Sequence, residues 1–557
     1  MINIRIPKIV LMTLVLFSSC AKDVLDTEPL DKVSSKDVWN DSSLAEGFIF
    51  DTYQDVMNLW YNQRTDDWTD NTIPNVGSRN AQIGNIQITD DYGWNQYSKI
   101  RKCNLAIAEL SNSTSINENV RNRLIAEAKL LRAMTNFWMA RRFGGVMKVD
   151  KPLQSDEDFF LSRMTERETY DFILQDANEA TIDLPETAEK GRFTKFAAYA
   201  FITQAALQIG DYDDVIEAAN MVEQGGYSLD VPYSNMFKNF ETAMASPEII
   251  FLYHAGGERS RFIDTPMQNM TPNNSNAEVY PGKLPPSAIP QFANGDYFEG
   301  WPDRWPSQNI VDAYLIKDNG EAVQKTWQDW EGQPSKLAWQ NRDDRFEQTI
   351  VRDSAQYRSS IFTFRRGGNM HWTSFEGGPW GVSTSGYAFR KWIYEDEFVF
   401  WDLPVDYAEP IFRLGEVYLN KAEAYGRKGN LSSAIEYMNY TRTIHGGLPA
   451  LSSGASLSEF WNAYKIERRV ELAFEDDRYW SLIRWARAEN ASGIPELNGY
   501  KLRALDMQFD GIFHTIDGGG AGAFPENFVF EYPKRLFFPI PDSEIRRNDK
   551  LTQNPGW

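Results

Sequence analysis

Two short segments of the chain share one pattern, although they lie far apart. GDYDDVIEAA (210–219) and GNLSSAIEYM (429–438) both run Gly, Asp or Asn, an apolar or aromatic residue, two polar residues, a small apolar residue and Ile-Glu. Each follows an Ala-rich segment with the spacing of a helix. This pattern is typical of the turn between stacked helix pairs in tetratricopeptide-like arrays. It therefore predicts a mainly α fold with a scaffold of helical pairs.

Other parts of the chain have the same helical spacing of apolar residues. The segment 165–185 has Thr165 and Glu168 at the spacing of a capping box and ends at Pro185. Further helices are predicted within 94–110, 121–145, 194–210, 408–429 and 460–487. We expect the helical scaffold to occupy about 36–230 and 403–487.

The composition changes between these two parts of the scaffold, over about 231–402. Gly, Pro, Asn and Trp accumulate there and the helical periodicity fades. Nine of the eighteen tryptophans fall between 291 and 401, whereas none occurs from 139 to 300. We predict a large irregular insertion with short strands, for example in RSSIFTFRRGGNMHW. The tail 528–557 is rich in aromatic residues and proline, which predicts a terminus that is docked on the body.

The first 19 residues have the order of a secretion signal: two basic residues, the apolar run Ile9–Phe17, and two serines. The apolar run is too short to span a membrane, which takes about 20 residues, so cleavage is expected. Cys20 follows at the position where bacterial lipoproteins are cut and acylated. An ordinary signal with an unrelated cysteine is the alternative. We predict lipidation at Cys20.

Charge and motifs exclude several classes of function. The formal net charge is −21, and it becomes −23 when Arg5 and Lys8 leave with the signal. Such a surface repels phosphate backbones, so nucleic acid is not expected as a partner. The four histidines have no metal-binding spacing and no CxxC occurs, so no metal site is expected. No phosphate-binding glycine motif indicates a cofactor. Cys103 has no intrachain partner once Cys20 is acylated.

Several segments in order resemble the SusD/RagB family of outer-membrane nutrient-binding lipoproteins. They run from Cys20 and LDTEPLDKVSSKDVW through AEAKLLRAMTNFWMARRFGGV and IERRVELAFEDDRYWSLIRW to FFPIPDSEI and LTQNPGW. The resemblance spans nearly the whole chain, so 20–557 is expected to be one domain. It implies four tetratricopeptide-like helix pairs and a ligand-facing insertion. It also implies a SusC-type TonB-dependent transporter as partner, and a lipid-anchored position on the outer side of the outer membrane.

Aromatic rings in polar loops are the candidates for ligand contact. Flat rings stack on the apolar face of a sugar, while polar neighbours bind its hydroxyl groups. NQRTDDWTDN (62–71) and GDYFEGWPDRWPSQN (295–309) have this composition, as have WQDWEG and HWTSFEGGPWG. Burial under a long loop is the alternative for each ring. The candidate ligand-binding residues are Asp67, Trp68, Asn71, Tyr297, Trp301, Trp305, Trp327, Trp330 and Trp372.

Other conspicuous residues are assigned to structure. Glu467, Glu471 and Glu475 lie on one helical face beside arginines, which favours ion pairs that join helices. Four tryptophans in periodic or motif segments are assigned to packing: Trp138, Trp392, Trp480 and Trp485.

The preferred function is noncatalytic capture of an oligosaccharide or polysaccharide at the cell surface, with delivery to the transporter. The crowding of tryptophans favours a glycan. A peptide or glycopeptide binder of the RagB type is the alternative within the resemblance. A glycoside hydrolase would need two carboxyl groups about 5 to 9.5 Å apart across a sugar cleft, and no catalytic motif is present. A purely structural adhesin is a further alternative.

Overall fold

The computed structural model describes residues 35–61, 65–75, 80–154, 157, 159–256, 261–274, 292–293, 296, 298–373, 381–397, 400, 402–519 and 528–557. The signal, Cys20 and Tyr297 lie outside these described residues. Among the helices described, none has both the length and the apolar composition needed to cross a bilayer.

Long helices form what we call the helical half, residues 42–223 and 414–488. They are α1 Ser42–Trp60, α2 Tyr97–Asn112, α3 Glu118–Phe143, α4 Glu166–Asp183, α5 Lys195–Ile209, α6 Tyr212–Glu223, α7 Leu414–Arg427, α8 Leu431–Ile444, α9 Leu457–Glu471 and α10 Arg478–Ala488. Short helices lie at Ser35–Val38, Phe240–Ala245, Gln308–Val311, Trp327–Trp330, Lys336–Trp339, Phe346–Thr349 and Asp542–Arg547. Single 3-10 turns lie at Thr65–Trp68, Tyr233–Met236, Phe262–Asp264, Pro266–Asn269 and Lys534–Leu536.

Short strands pair two by two, mostly within what we call the irregular half, residues 231–413 and 498–517. The strands are β1 Thr72–Pro74, β2 Ile249–Ala255, β3 Arg304–Pro306, β4 Ile316–Asp318, β5 Glu321–Val323, β6 Ile350–Val351, β7 Ala355–Tyr357, β8 Ser360–Phe362, β9 Ala388–Phe389, β10 Tyr407–Arg413, β11 Arg503–Leu505 and β12 Thr515–Asp517. The antiparallel pairs are β1–β3, β2–β10, β4–β5, β6–β9, β7–β8 and β11–β12.

Local sequence explains where the helices begin and end. The predicted capping box is present at α4, where the Thr165 side chain accepts from the Glu168 backbone and Glu168 accepts from the Thr165 backbone. These bonds satisfy backbone N–H groups that have no partner inside the helix. α5 ends at Gly210, which takes the left-handed conformation with φ of 86°. The predicted helical segments are therefore confirmed at these boundaries.

The two repeated segments occupy equivalent turns. The first connects α5 to α6, and the second connects α7 to α8. α6 also packs against α7, so the two helix pairs are neighbours although the irregular insertion separates them in the chain. Buried alanines along α5 let the adjacent helices approach closely. The mainly α, tetratricopeptide-like arrangement of helical pairs is confirmed.

Each half has a hydrophobic core of its own. The larger core joins the long helices, and it includes Trp138, Trp480 and Trp485, which pack as predicted. The second core fills the irregular half and includes Trp392, also as predicted. The β2–β10 pair connects the halves, because β10 is followed directly by α7. Both halves are therefore fixed to the same strand pair.

The C-terminal tail lies against the helical half. The side-chain amide of Asn554 donates to the carbonyls of Phe143 and Phe538 at 3.1 and 2.7 Å. Arg163 donates to the Thr552 carbonyl at 2.9 Å. The tail thus caps the end of α3.

Candidate ligand-binding face

The structure brings two of the candidate stretches together. β1, which follows the acidic stretch 65–71, pairs with β3 so that Ile73 lies opposite Trp305. The guanidinium of Arg304 lies 3.3 Å from the carboxylate of Asp67. The Ser307 backbone N–H donates to the Asn71 carbonyl at 3.0 Å. Segments separated by more than 200 residues therefore form one unit.

Three of the candidate side chains in this unit are buried, which corrects the expectation that they face a ligand. Trp305 has 0% exposure, lies in a strand instead of a loop, and donates its indole N–H to Asn75 at 3.2 Å. Asn71 donates to Asp66 at 2.6 Å and accepts from Arg469 at 2.9 Å. Asp67 is buried in its ion pair with Arg304. These three side chains therefore make internal contacts of the protein.

Trp68 also belongs to the packing of the helical half. Its half-buried ring makes edge contacts with Tyr479, Trp480 and Phe538, with centroids 5.1, 6.4 and 5.5 Å away. Beside it, burial raises the pKa of Asp66 to about 7, and the nearby Asp476 carboxylate adds to this. Asp66 and Asp67 of this turn are therefore interior residues, whereas Trp68 packs against the helical half but stays partly accessible, and its contact with a ligand stays a prediction.

Trp301 is the candidate ring that the structure exposes most, with 50% of its surface accessible. Its backbone N–H donates to the Gln268 carbonyl at 2.7 Å. The preceding Gly300 lies so close to Thr271 that a Cβ atom would come within 1.7 Å of the Thr271 carbonyl oxygen. Glycine is thus required at this close approach, which fixes the loop that carries the ring.

Trp327 and Trp330 lie on one single-turn helix, and both rings are half-buried. A capping box of Thr326 and Asp329 begins this helix, and the Thr326 N–H donates to Asp329 at 2.8 Å. The Arg503 guanidinium stacks over Trp327, 3.6 Å from the ring centre, and the Lys325 ammonium lies 5.4 Å from the centre of Trp330. Both rings also pack against the second core, and part of their surface stays accessible.

Trp372 is only 9% exposed, so the expectation of an open ring is wrong for this residue. Its ring stacks on His371 with centroids 4.0 Å apart. The His371 Nε2 lies 3.8 Å from the carboxylate of Asp506. The nearby His371 ring and the Arg366 guanidinium, 2.9 Å away, favour the ionised carboxylate and lower the pKa of Asp506 to about 2. Trp372 therefore helps to hold a charged side chain in position.

Sequence reasoning missed the most exposed aromatic ring near these residues. Phe509 lies between β11 and β12 with 71% of its surface accessible. Polar groups surround the same strand pair, including His514, whose Nδ1 lies 2.7 Å from Glu331. The turn sequence Asp510-Gly511 after Phe509 was the available signal, because it marks a hairpin tip. We give the name aromatic face to four accessible rings of the irregular half, Trp301, Trp327, Trp330 and Phe509.

Two family models match the chain. The SusD family model matches residues 247–557, which is more than half of the sequence, and a second model matches 23–207. The chain belongs to the SusD family. The second model is described as starch-binding, associating with the outer membrane. The resemblance stated from the sequence is thereby confirmed for the family.

Relatives and solved structures agree with this family. A SusD-like protein of Formosa agariphila is 23% identical over 530 residues, covering 88% of this chain and 93% of its own. A SusD-like protein from Bacteroides fragilis has a similar fold, with a TM-score of 0.77, 25% identity, and coverage of 95% of this chain and 100% of its own. A second Bacteroides fragilis structure, named a SusD-like carbohydrate-binding protein, gives a TM-score of 0.73 at 21% identity, with coverage of 92% and 100%.

In this SusD-family protein, a group of buried charges joins the two halves. The Glu471 carboxylate accepts from Arg413 and Arg345, both at 2.6 Å, and lies 2.8 Å from His445 Nδ1. The other nitrogen of His445 lies 3.1 Å from Glu248, which also accepts from Arg413 at 3.0 Å. We call these five residues the junction cluster. The glutamate ladder predicted from the sequence therefore joins structural elements.

The junction cluster contains the combination of Glu248, His445 and Glu471 that could surround a metal ion. Burial opposes a charged imidazole, but the carboxylates of Glu471 and Glu248 outweigh it and raise the pKa of His445 to about 10. The imidazolium and two guanidinium groups thus already neutralise these carboxylates, and a divalent cation would meet three positive charges. The cluster is best explained as a structural ion-pair network.

Proposed function

We propose that this SusD-family protein binds a glycan at the cell surface without cleaving it and passes it to a SusC-type TonB-dependent transporter. The observation that carries the proposal is the half-exposed ring of Trp301, displayed from a loop whose backbone is fixed. Trp327, Trp330 and Phe509 add accessible ring surface on the same half. The name of the carbohydrate-binding relative from Bacteroides fragilis supports extending this activity to the present chain.

The chemistry of a sugar suits the aromatic face. The C–H groups on one side of a pyranose ring form an apolar surface that packs on an indole, while its hydroxyl groups stay in contact with water and polar side chains. His514 and Glu331 supply such polar groups beside Trp327 and Trp330. Contacts of this kind need no proton transfer, which fits a binding protein.

The proposal that the protein is noncatalytic has separate support. The two glutamates of the junction cluster, Glu248 and Glu471, are completely buried and paired with arginine. A glycosidase carboxyl must reach the glycosidic bond of its substrate. We therefore propose that bond cleavage belongs to other proteins.

The anchoring and the partner follow from the N-terminal sequence and the family. Acylation at Cys20 would hold the protein at the outer membrane, and more than one acyl chain is needed for stable attachment. Expression of Cys20→Ala in the native host should move the protein from the membrane fraction to the soluble fraction. Co-purification with a SusC-type barrel from solubilised outer membranes tests the partner. Equal membrane retention of wild type and variant would contradict lipidation.

Calorimetry tests the binding site. Trp301→Ala should weaken binding of the recognised glycan by about tenfold, which corresponds to about 1.4 kcal/mol. Phe159→Ala is the matched control, because Phe159 is 52% exposed but lies on the loop between α3 and α4 of the helical half. Reducing ends should not accumulate with either protein. Unchanged affinity in Trp301→Ala would reject this site, and sustained release of reducing ends would reject a noncatalytic function.

A further inference from the structure

The positive charges of the irregular half bear on the type of glycan that the protein binds. Among the described residues of this half, every arginine that is exposed or half-buried is paired with a carboxylate. The pairs are Arg261–Asp402, Arg352–Glu347, Arg358–Asp296, Arg365–Asp353, Arg366–Asp506, Arg390–Glu395 and Arg503–Asp517. The structure therefore directs these cations toward the protein's own acidic groups.

Ion pairs also lie beside two rings of the aromatic face, Trp327 and Trp330. Arg503, which stacks on Trp327, has its Nη2 2.9 Å from Asp517. Lys501 approaches the same carboxylate at 3.0 Å. His514 is 2.7 Å from Glu331. A sugar lying on Trp327 would thus meet Arg503 and Lys501 already engaged by the Asp517 carboxylate, and these three groups together keep one positive charge.

An anionic sugar would have to compete with these carboxylates. To bind Arg503 in the same way, a uronate or sulfate would have to displace Asp517, and the displaced carboxylate would remain close enough to repel it. The net charge of −23 on the mature chain adds a long-range repulsion of the same sign. A neutral sugar meets neither cost, because its hydroxyl groups can bond to both members of an intact ion pair.

Three lysines are the exception to this pairing. Lys238, Lys325 and Lys336 have no carboxylate within 4 Å among the described residues, and Lys325 lies over the ring of Trp330. Lysine is a strongly hydrated point charge and lacks the planar fork with which arginine binds a carboxylate or sulfate at two points. These lysines are therefore expected to contribute little to a preference for anionic sugars.

We infer that the glycan recognised by this protein is uncharged, without uronate, sulfate or phosphate groups. This inference rests on the proposed glycan-binding function and narrows it to a chemical class. Arg365, Arg366 and Lys391 agree with this inference, because all three are paired with carboxylates of the protein, Asp353, Asp506 and Glu475.

Binding should be measured on the full mature protein with two sets of soluble polysaccharides. The neutral set contains starch, laminarin and galactomannan, and the anionic set contains polygalacturonate, alginate and chondroitin sulfate. We expect affinity electrophoresis to show retardation by a neutral member only. Calorimetry on that glycan at 50 and 500 mM NaCl should show a dissociation constant that changes by less than about twofold, because salt screens only charge-dependent contacts.

A charge variant tests the physical reason. Asp517→Asn removes the partner of Arg503 and Lys501, so this variant should gain salt-sensitive binding to the anionic set while it keeps its neutral glycan. Asp183→Asn is the matched control, because it makes the same change of charge at an exposed position at the end of α4. The control should gain no binding to the anionic polysaccharides.

The possible outcomes separate this inference from the proposed function. Salt-sensitive binding of wild type to an anionic polysaccharide would overturn the inference and leave glycan binding intact. Binding to neither set would overturn the proposed function and the inference together. Failure of Asp517→Asn to gain any anionic binding would overturn the explanation by ion pairing.

Discussion

TDDW (65–68) and WQDW (327–330) both end in Asp-Trp, but the structure uses the two segments differently. The first forms a 3-10 turn with buried aspartates, and its tryptophan packs against α10 and the C-terminal tail. The second forms a single helical turn with no buried residue. Acidic and aromatic composition alone therefore does not distinguish an internal support from an accessible surface.

The difference lies in the partners that reach each segment. Asp67 is paired with Arg304, 237 residues away, and Asn71 with Arg469, 398 residues away. In the second segment, Asp329 only caps its own helix at Thr326. Distant polar partners thus hold the side chains of Asp67 and Asn71 in the interior, whereas the distant Arg503 contacts the second segment only through one side of the Trp327 ring.

The largest expected effect comes from removing the aspartate of each segment. Asp67→Ala should lower the free energy of unfolding by about 3 kcal/mol, because it removes one of the two carboxylates that neutralise the buried Arg304 and leaves only Asp303, 3.5 Å away. Asp329→Ala, the matched change, should cost about 1 kcal/mol through loss of a helix cap. Urea denaturation followed by circular dichroism measures both values. Equal losses in the two variants would remove the distinction between the segments.

Removing Trp68 should likewise destabilise the protein more than removing the exposed Trp301. Trp68→Ala should cost about 3 kcal/mol of unfolding free energy, because its ring fills space between Tyr479, Trp480 and Phe538. Trp301→Ala should cost less than about 1 kcal/mol, since half of its ring already contacts water. Differential scanning calorimetry provides the comparison. A loss at Trp301 as large as that at Trp68 would mean that Trp301 belongs to the core.

The junction cluster should make stability depend on pH. The pKa of His445 is raised from 6.5 to about 10 in the folded state. Its contribution is therefore complete below pH 6.5 and is lost as the pH rises through 10, since the folded protein holds the extra proton across that window. The melting temperature of the wild type should fall from pH 7 to pH 10 relative to that of His445→Gln.

Comparison with this variant is necessary because another buried group titrates in the same window. Burial lowers the pKa of Lys391 to about 8 although Glu475 opposes the shift, so Lys391 adds stability as the pH rises above 8. The difference between wild type and His445→Gln isolates the histidine. A parallel pH dependence of the two proteins would show that His445 is not protonated in the cluster.

The smallest effects on stability and on binding are expected from a substitution in the second segment, WQDW (327–330). Trp327→Ala should change the free energy of unfolding by less than about 1 kcal/mol and weaken glycan binding by about threefold, because Arg503 already covers one side of the ring. Calorimetry with the neutral glycan measures the affinity, and Phe159→Ala again serves as control. A destabilisation above about 3 kcal/mol would place this ring among core residues.

Much of the helical half could be predicted from local patterns. The box of Thr165 and Glu168, the repeated turns after α5 and α7, and the packing of Trp480 and Trp485 all depend on residues close in sequence or on a periodic apolar face. The candidate site was less predictable. Trp301 is exposed as expected, but Trp305, four residues later, is enclosed by pairing with a distant strand, and Phe509 was not identified.

The sequence by itself determined the family, the mainly helical architecture and the surplus of negative charge, because periodicity, motif order and composition are local or additive properties. Only the tertiary structure decided which aromatic rings reach solvent and which arginines are neutralised. The burial of Trp305 and of the Asp67–Arg304 pair depends on contacts between segments more than 200 residues apart, whereas pairs such as Arg503 with Asp517 depend on how nearby strands fold together. Burial and ion pairing are properties of that spatial arrangement, so no single stretch of sequence contains them.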